Sequence, residues 1–305
     1  MQRILLSLGL LVFVGALVVS STGAFFSDTE TSTGNTFTAG DIDLQIDNSS
    51  YALDFNIPTF QGVPTGALVA NPANSWPMAD LVAGTQKFFN FTDVKPGDYG
   101  EDTISIHVGS NNAWMCAAAR LTDDSDQTCT EPELADDPSC VATATNGELD
   151  DVIQFAFWAD DGDNVYEPVA GQTGSPETIF LAGPLGALDD AGQIRLADSS
   201  GSILGGNTPI PGDTTFYIGK IWCAGTLTPT ALVQDGSGNT RSPLTGTGFT
   251  CNGALVDDAS QTDNVTGDMQ FYAVQARNNT TFTCAQNYIP QWPVVPPPVI
   301  VDGPT

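Results

Sequence analysis

Asp41 to Asp47 reads DIDLQID, a strict alternation that sets Ile42, Leu44 and Ile46 on one face and Asp41, Asp43, Gln45 and Asp47 on the other. A period of two is the pattern of a half-buried β-strand. It returns in Thr103 to Val108 (TISIHV), Thr214 to Cys223 (TTFYIGKIWC) and Asp268 to Arg277 (DMQFYAVQAR). Asp151 to Trp158 (DVIQFAFW) is apolar on both faces, as suits a strand in the middle of a sheet. Ala113 to Leu121 (AWMCAAARL) reads as a strand too, although its alanines leave a helix open. Lys95-Pro96-Gly97-Asp98 is a turn, with Pro fixing φ and Gly free to take positive φ. No long amphipathic helical pattern accompanies these stretches, so the chain is all-β. Residues 122–150, 168–212 and 225–267 are too long for plain connections and read as insertions.

The first 24 residues have another character. Arg3 precedes an apolar run from Ile4 to Val19, and Thr22-Gly23-Ala24 is a small-residue cleavage site. That is a secretory signal peptide cut after Ala24. A retained anchor is the alternative, but the run is short against the roughly 20 apolar residues a spanning helix needs. An exported chain meets an oxidising compartment, where Cys116, Cys129, Cys140, Cys223, Cys251 and Cys284 are candidates for disulfides. Cys129 and Cys140 share one acidic, Pro-containing segment and are the natural local pair; the other pairings stay open.

The chain carries 36 Asp and Glu against 8 Lys and Arg, a formal net charge of -28, and losing residues 1–24 removes one Arg and moves it to -29. Phosphate backbones and anionic lipids are bound by clustered Lys and Arg, so nucleic acid is excluded as a partner, and membrane contact is left to the uncleaved signal. The excess acid gives a self-repelling, soluble surface. It also suits divalent cations. In Asp160-Asp161-Gly162-Asp163-Asn164-Val165-Tyr166-Glu167, hard oxygen ligands alternate around a glycine and close on a Glu, which is what calcium demands. The candidate ligands are Asp160, Asp161, Asp163, Asn164 and Glu167. The Glu comes too early for an EF-hand, and an acidic turn after the strand ending at Trp158 is the plainer alternative.

Enzyme chemistry finds little footing. His107 is the only histidine, so a two-histidine zinc motif cannot exist, and no Ser is set in a G-x-S-x-G elbow. From Phe25 to Phe37, by contrast, a second alternating ribbon appears. Phe25, Ser27, Thr29, Thr31, Thr33, Asn35 and Phe37 form an uncharged face, with Asp28 and Glu30 on the other. Freed by cleavage, such a strand can pair with the open sheet edge of another copy. Folding back into its own sheet is the alternative.

GAFFSDTET, GNTFTAG, DIDL and VKPGDYGEDTISIHV together resemble the N-terminal part of the TasA and camelysin-like secreted proteins. FYIGKIWCAGTL, QTDN and FYAVQARNNTTFTC resemble a cysteine-bearing branch of that family. The resemblance implies a jelly-roll-like β-sandwich, here with long disulfide-bearing loop insertions, processed by a dedicated signal peptidase. It also implies a surface or extracellular-matrix role as a fibre-forming subunit, whose partners are copies of itself in a head-to-tail homopolymer and other matrix components. The resulting layout is a signal peptide over 1–24, a leader or donor strand over 25–40, the sandwich over 41–284 and a Pro-rich tail over 285–305. The family has also carried a metallopeptidase label. Metal-dependent endopeptidase is therefore the alternative function, followed by a calcium-dependent adhesin or glycan-binding module.

Overall fold

The computed structural model describes residues 27–31, 36–38, 42–53, 68–171, 174–236 and 241–292. The signal segment, its cleavage site at Ala24, and Phe25, Thr33 and Asn35 lie outside these residues. In chain order the strands are β1 (Ser27–Thr31), β2 (Thr36–Thr38), β3 (Leu44–Leu53), β4 (Leu68–Ala70), β5 (Trp76–Ala79), β6 (Tyr99–Val108), β7 (Ala113–Asp126) and β8 (Ile153–Asp160). They continue as β9 (Thr178–Pro184), β10 (Gln193–Asp198), β11 (Gly201–Ser202), β12 (Thr214–Ala224), β13 (Thr226–Pro229), β14 (Phe249–Asn252) and β15 (Asp263–Gln275).

Two antiparallel sheets make the sandwich. One runs β11-β10-β7-β15-β1-β2; the other runs β4-β3-β6-β12-β8-β9, with β5 also on β3. Each of the six segments read as strands holds a strand, although Asp151 and Val152 are helical and β15 ends at Gln275; Ala113 to Leu121 lies in β7, where Ala113, Ala117 and Ala119 share the face of Met115. Period-two alternation supplies the core: Leu44, Ile46, Ile104, Ile106, Phe155 and Phe157 of one sheet pack in one cluster with Met115, Leu196, Met269 and Phe271 of the other. The outer face of β8 is apolar as well, because Trp158 and Ala156 pack under Tyr166 and Phe249 from the later loops.

Parts of the insertions are more ordered than the sequence suggests. Residues 168–212 contain β9, β10 and β11, and residues 225–267 contain β13, β14 and the start of β15. β9, β10 and β11 extend the edges of the two main sheets, whereas β13 and β14 pair with each other as a separate two-stranded sheet. The pairings are Cys129–Cys140, as its spacing suggested, with Cys116–Cys284 and Cys223–Cys251. Cys116–Cys284 joins residues 168 apart and fastens the C-terminal segment to β7. The tail boundary accordingly moves: Tyr288 is 3 % exposed and its ring stacks on Tyr272 at 4.9 Å, so residues up to 292 belong to the body.

The N-terminal ribbon is two strands rather than one. β1 pairs antiparallel with β15, Ser27 opposite Val274 through Thr31 opposite Gln270, and β2 pairs with β1. Its backbone groups are thus satisfied by its own sheet on one side and by its own chain on the other.

Inside the sandwich lies one full ion pair. Lys220 of β12 and Asp102 of β6 are register partners, both 0 % exposed, with Nζ 2.7 Å from Oδ2. Nζ also donates to the Phe88 carbonyl and sits 3.6 Å over the Phe89 ring, while Asn48 Nδ2 donates to Asp102 Oδ1. Burial pushes the Lys220 amine down in pKa, and the Asp102 carboxylate opposes that shift. Lys220→Met should therefore cost about 3–5 kcal/mol by stranding Asp102, whereas Lys220→Met with Asp102→Leu should recover most of it. Denaturant unfolding measures both; a double variant no more stable than the single would assign the loss to packing instead.

Candidate cation site

β8 ends at Asp160, and the chain turns there on hydrogen bonds that Asp160 accepts. Its Oδ1 takes the Trp158 indole N–H at 3.1 Å, and Oδ2 takes the backbone N–H of Gly162 and Asn164 at 2.9 and 3.2 Å. Trp158 can lie flat against β12 because its neighbour there is Gly219; a Cβ would fall 2.0 Å from the indole. Glu177, entering β9, accepts the N–H of Asp161 through Oε1 and of Glu167 through Oε2. Asp160 and Glu177 therefore shape the loop.

The loop is covered by the segment after β13. Tyr166 donates its N–H to the Thr247 carbonyl, Val169 bridges to Val233, and Asp235 donates its N–H to Glu167 Oε2 at 2.9 Å. Cys223–Cys251 closes the covering segment at its base. Carboxylate oxygens of Asp163, Glu167 and Asp235 consequently converge, all within 4.8 Å of one another. Asn164 is 2 % exposed and both polar atoms of its side-chain amide lack a partner. Of the residues read from sequence, Asp163 and Glu167 meet, Asn164 and Asp161 adjoin them, and Asp160 serves the turn. Asp235 comes from a loop some seventy residues on, and no local spacing could have pointed to it.

Only one basic group attends this cluster among the described residues: Arg241 pairs with Glu167 Oε1 and sits 3.8 Å from Asp235 Oδ2. Beneath them Glu101 of β6 is 0 % exposed with no donor to either oxygen. Burial, then the neighbouring Asp160, holds Glu101 well above the usual carboxylate range. Burial raises Asp160 to about 6, Asp163 to about 7 and Glu177 to about 9, with neighbouring acids adding to the last two. Carboxylate oxygens that converge and are in part shielded from water can hold a divalent cation of the calcium class, with Asp163, Glu167 and Asp235 as ligands and the Arg241 guanidinium as the counter-charge it would displace. The Cys129–Glu133–Cys140 group cannot, since both sulfurs are in a disulfide.

His107 is engaged elsewhere. Nε2 meets Asp47 Oδ2 at 2.7 Å and Nδ1 meets Thr215 Oγ1 at 2.8 Å, across the outer face of β3, β6 and β12. The assembly-strand residues Ser27, Thr29 and Thr31 fall in β1 and Phe37 in β2. Three disulfides place the folded chain in an oxidising environment. No described helix is long and apolar enough to cross a membrane. No family model, curated protein or solved structure matches the chain.

Raised folded-state pKa values give stability that is complete below the unfolded value and lost as pH climbs through the folded one. For Asp160, Asp163 and Glu177 that window opens near pH 4 and runs to about 9, and the raised Glu101 acts in the same direction. In chelator the protein should therefore melt at a higher temperature at pH 5 than at pH 8. Calorimetric scans check this, and a melting temperature that rises with pH over that range would contradict it.

Proposed function

We propose that the protein is a secreted surface or matrix subunit of the TasA and camelysin-like kind, polymerising head to tail by donor-strand exchange. The observation that supports this reading is the seating of β1 on β15: within one chain it is the fold-back arrangement, and its five antiparallel register pairs define the edge and register that a second copy's β1 would take by exchange. The next strand of the body, β3, belongs to the opposite sheet, so β1 and β2 are an appendage to the sheet they extend. A second copy's β1 can take the same register on β15, with the same backbone bonds and the same alternation. Such contacts are heterologous and do not close, so they propagate as filaments. Export and cleavage after Ala24 by a signal peptidase release the strand, and other matrix components meet the finished fibre. Calcium held by Asp163, Glu167 and Asp235 would serve as a structural cofactor.

Protein beginning at Phe25 should form filaments visible by electron microscopy. Protein beginning at Gly40, and the Thr31→Pro variant, which lacks a backbone donor in β1, should stay folded and form none. Normal filaments from the shortened chain would end the donor-strand reading.

Millimolar calcium should raise the melting temperature, since a ligand of the folded state alone stabilises it. Asp161→Ala with Asp163→Ala should shrink that rise, and an undiminished shift would place the effect elsewhere. The preparation should leave casein intact with or without zinc; chelator-sensitive cleavage that copurifies with the chain would favour the peptidase alternative.

A further inference from the structure

The second gathering of acid lies at the far end of the β7–β15 ladder. Asp126, the last residue of β7, is the register partner of Asp263, the first of β15. Between Asp126 and β8 the chain runs through the insertion closed by Cys129–Cys140 and comes back to Glu148. There Glu148 donates its backbone N–H to Asp263 Oδ2 at 2.7 Å. The approach is close: a Cβ on Gly147 would sit 3.1 Å from the Asp263 carboxyl carbon, a contact that would crowd the carboxylate. Carboxylate oxygens of Asp126, Glu148 and Asp263 come within 4.8 Å of one another.

Backbone N–H groups compensate these carboxylates only in part. Asp126 is 2 % exposed; Oδ2 accepts the Val141 N–H at 3.2 Å, while Oδ1 is buried without a donor. Glu148 Oε2 and Asp263 Oδ1 are likewise buried without a partner, as is Oδ1 of the neighbouring Asp124. Among the described residues no Lys, Arg or His forms an ion pair with any of the four. The sequence explains why: no basic residue lies between Arg120 and Arg195, nor between Arg241 and Arg277. Burial together with the surrounding acids raises Glu148 to about 7 and Asp124 and Asp263 to about 6. Buried oxygens left without a donor and beside no counter-charge are costly as they stand, and a hard cation can coordinate and neutralise them.

We propose that Asp126, Glu148 and Asp263 bind a calcium ion that pins the two ends of the disulfide-closed insertion to the start of β15. Three carboxylates give three to six of the 6–8 oxygen ligands calcium takes, and water or main-chain carbonyls complete the shell. Asp126 and Glu148 bracket the insertion, so the ion would fix where it leaves and re-enters the sandwich, which the local disulfide does not do. The site is separate from the loop that follows β8 and does not depend on filament formation.

The test titrates calcium chloride into the purified protein by calorimetry, in wild type and in the Asp161→Ala/Asp163→Ala background. One calcium per chain should still bind in that background; none would overturn the proposal. Adding Glu148→Gln and Asp263→Asn should weaken the remaining calcium affinity at least tenfold and remove the remaining calcium-induced rise in melting temperature. In chelator, those neutral substitutions should leave the melting temperature equal to wild type or higher, because they relieve repulsion. Carboxylates that serve only as hydrogen-bond acceptors would give the reverse: a lower melting temperature in chelator with an unchanged calcium titration. Matched sodium chloride controls remove ionic strength, and a rise reproduced by sodium alone would also sink the idea.

Discussion

The shortage of positive charge governs how this chain can bury its acid. With 36 acidic and 8 basic residues, most carboxylates drawn inside by the fold find no ion-pair partner. The structure meets that constraint in different ways at different depths. In the centre of the sandwich Asp102 receives Lys220, a complete neutralisation supported by Asn48 and the Phe88 carbonyl. At the ends of strands the main chain substitutes: Asp160 and Glu177 accept backbone N–H groups and so form the turn that follows β8. Where neither is within reach, as at Glu101, burial and the neighbouring acids hold the carboxyl well above its usual range.

How much of this was legible depended on the range of the interaction. Alternation and apolar runs are local properties, and the six stretches read from them hold strands that build the core. β9, β10, β13 and β14 escape because their sequences (TIFLAGP, QIRLAD, TLTP and FTCN) are too short to display a clear period; β9 and β10 exist by pairing with a sheet edge already formed, and β13 and β14 by pairing with each other. Cys129 with Cys140 follows from nearness in sequence. Cys116 with Cys284 and Cys223 with Cys251 follow only from the topology that brings β7 to the C-terminal segment and β12 to β14.

The same distinction divides the acidic sites. Asp163 and Glu167 sit in one octet whose spacing announces oxygen ligands. Asp235, which converges with them, and Arg241, which pairs with Glu167, belong to a covering loop that only the fold delivers. Asp126, Glu148 and Asp263 are further apart still, and each looks in sequence like one more surface acid. What distinguishes them is that each keeps one buried oxygen without a donor, a property of three dimensions alone. The N-terminal ribbon was readable as a strand by its period, but which edge it covers was not.

The unequal ladders on the two sides of β15 have a mechanical consequence. On one side β15 meets β7 over thirteen register pairs, and β7 is further bound to the C-terminal segment by Cys116–Cys284. On the other it meets β1 over five. A chain put under tension from its N-terminus would thus load its weakest seam first, shearing β1 from β15 while the sandwich behind it keeps its shape. Extension would begin as detachment of an edge strand, at low force and without exposing the core, and relaxation would need only that strand to find its register again.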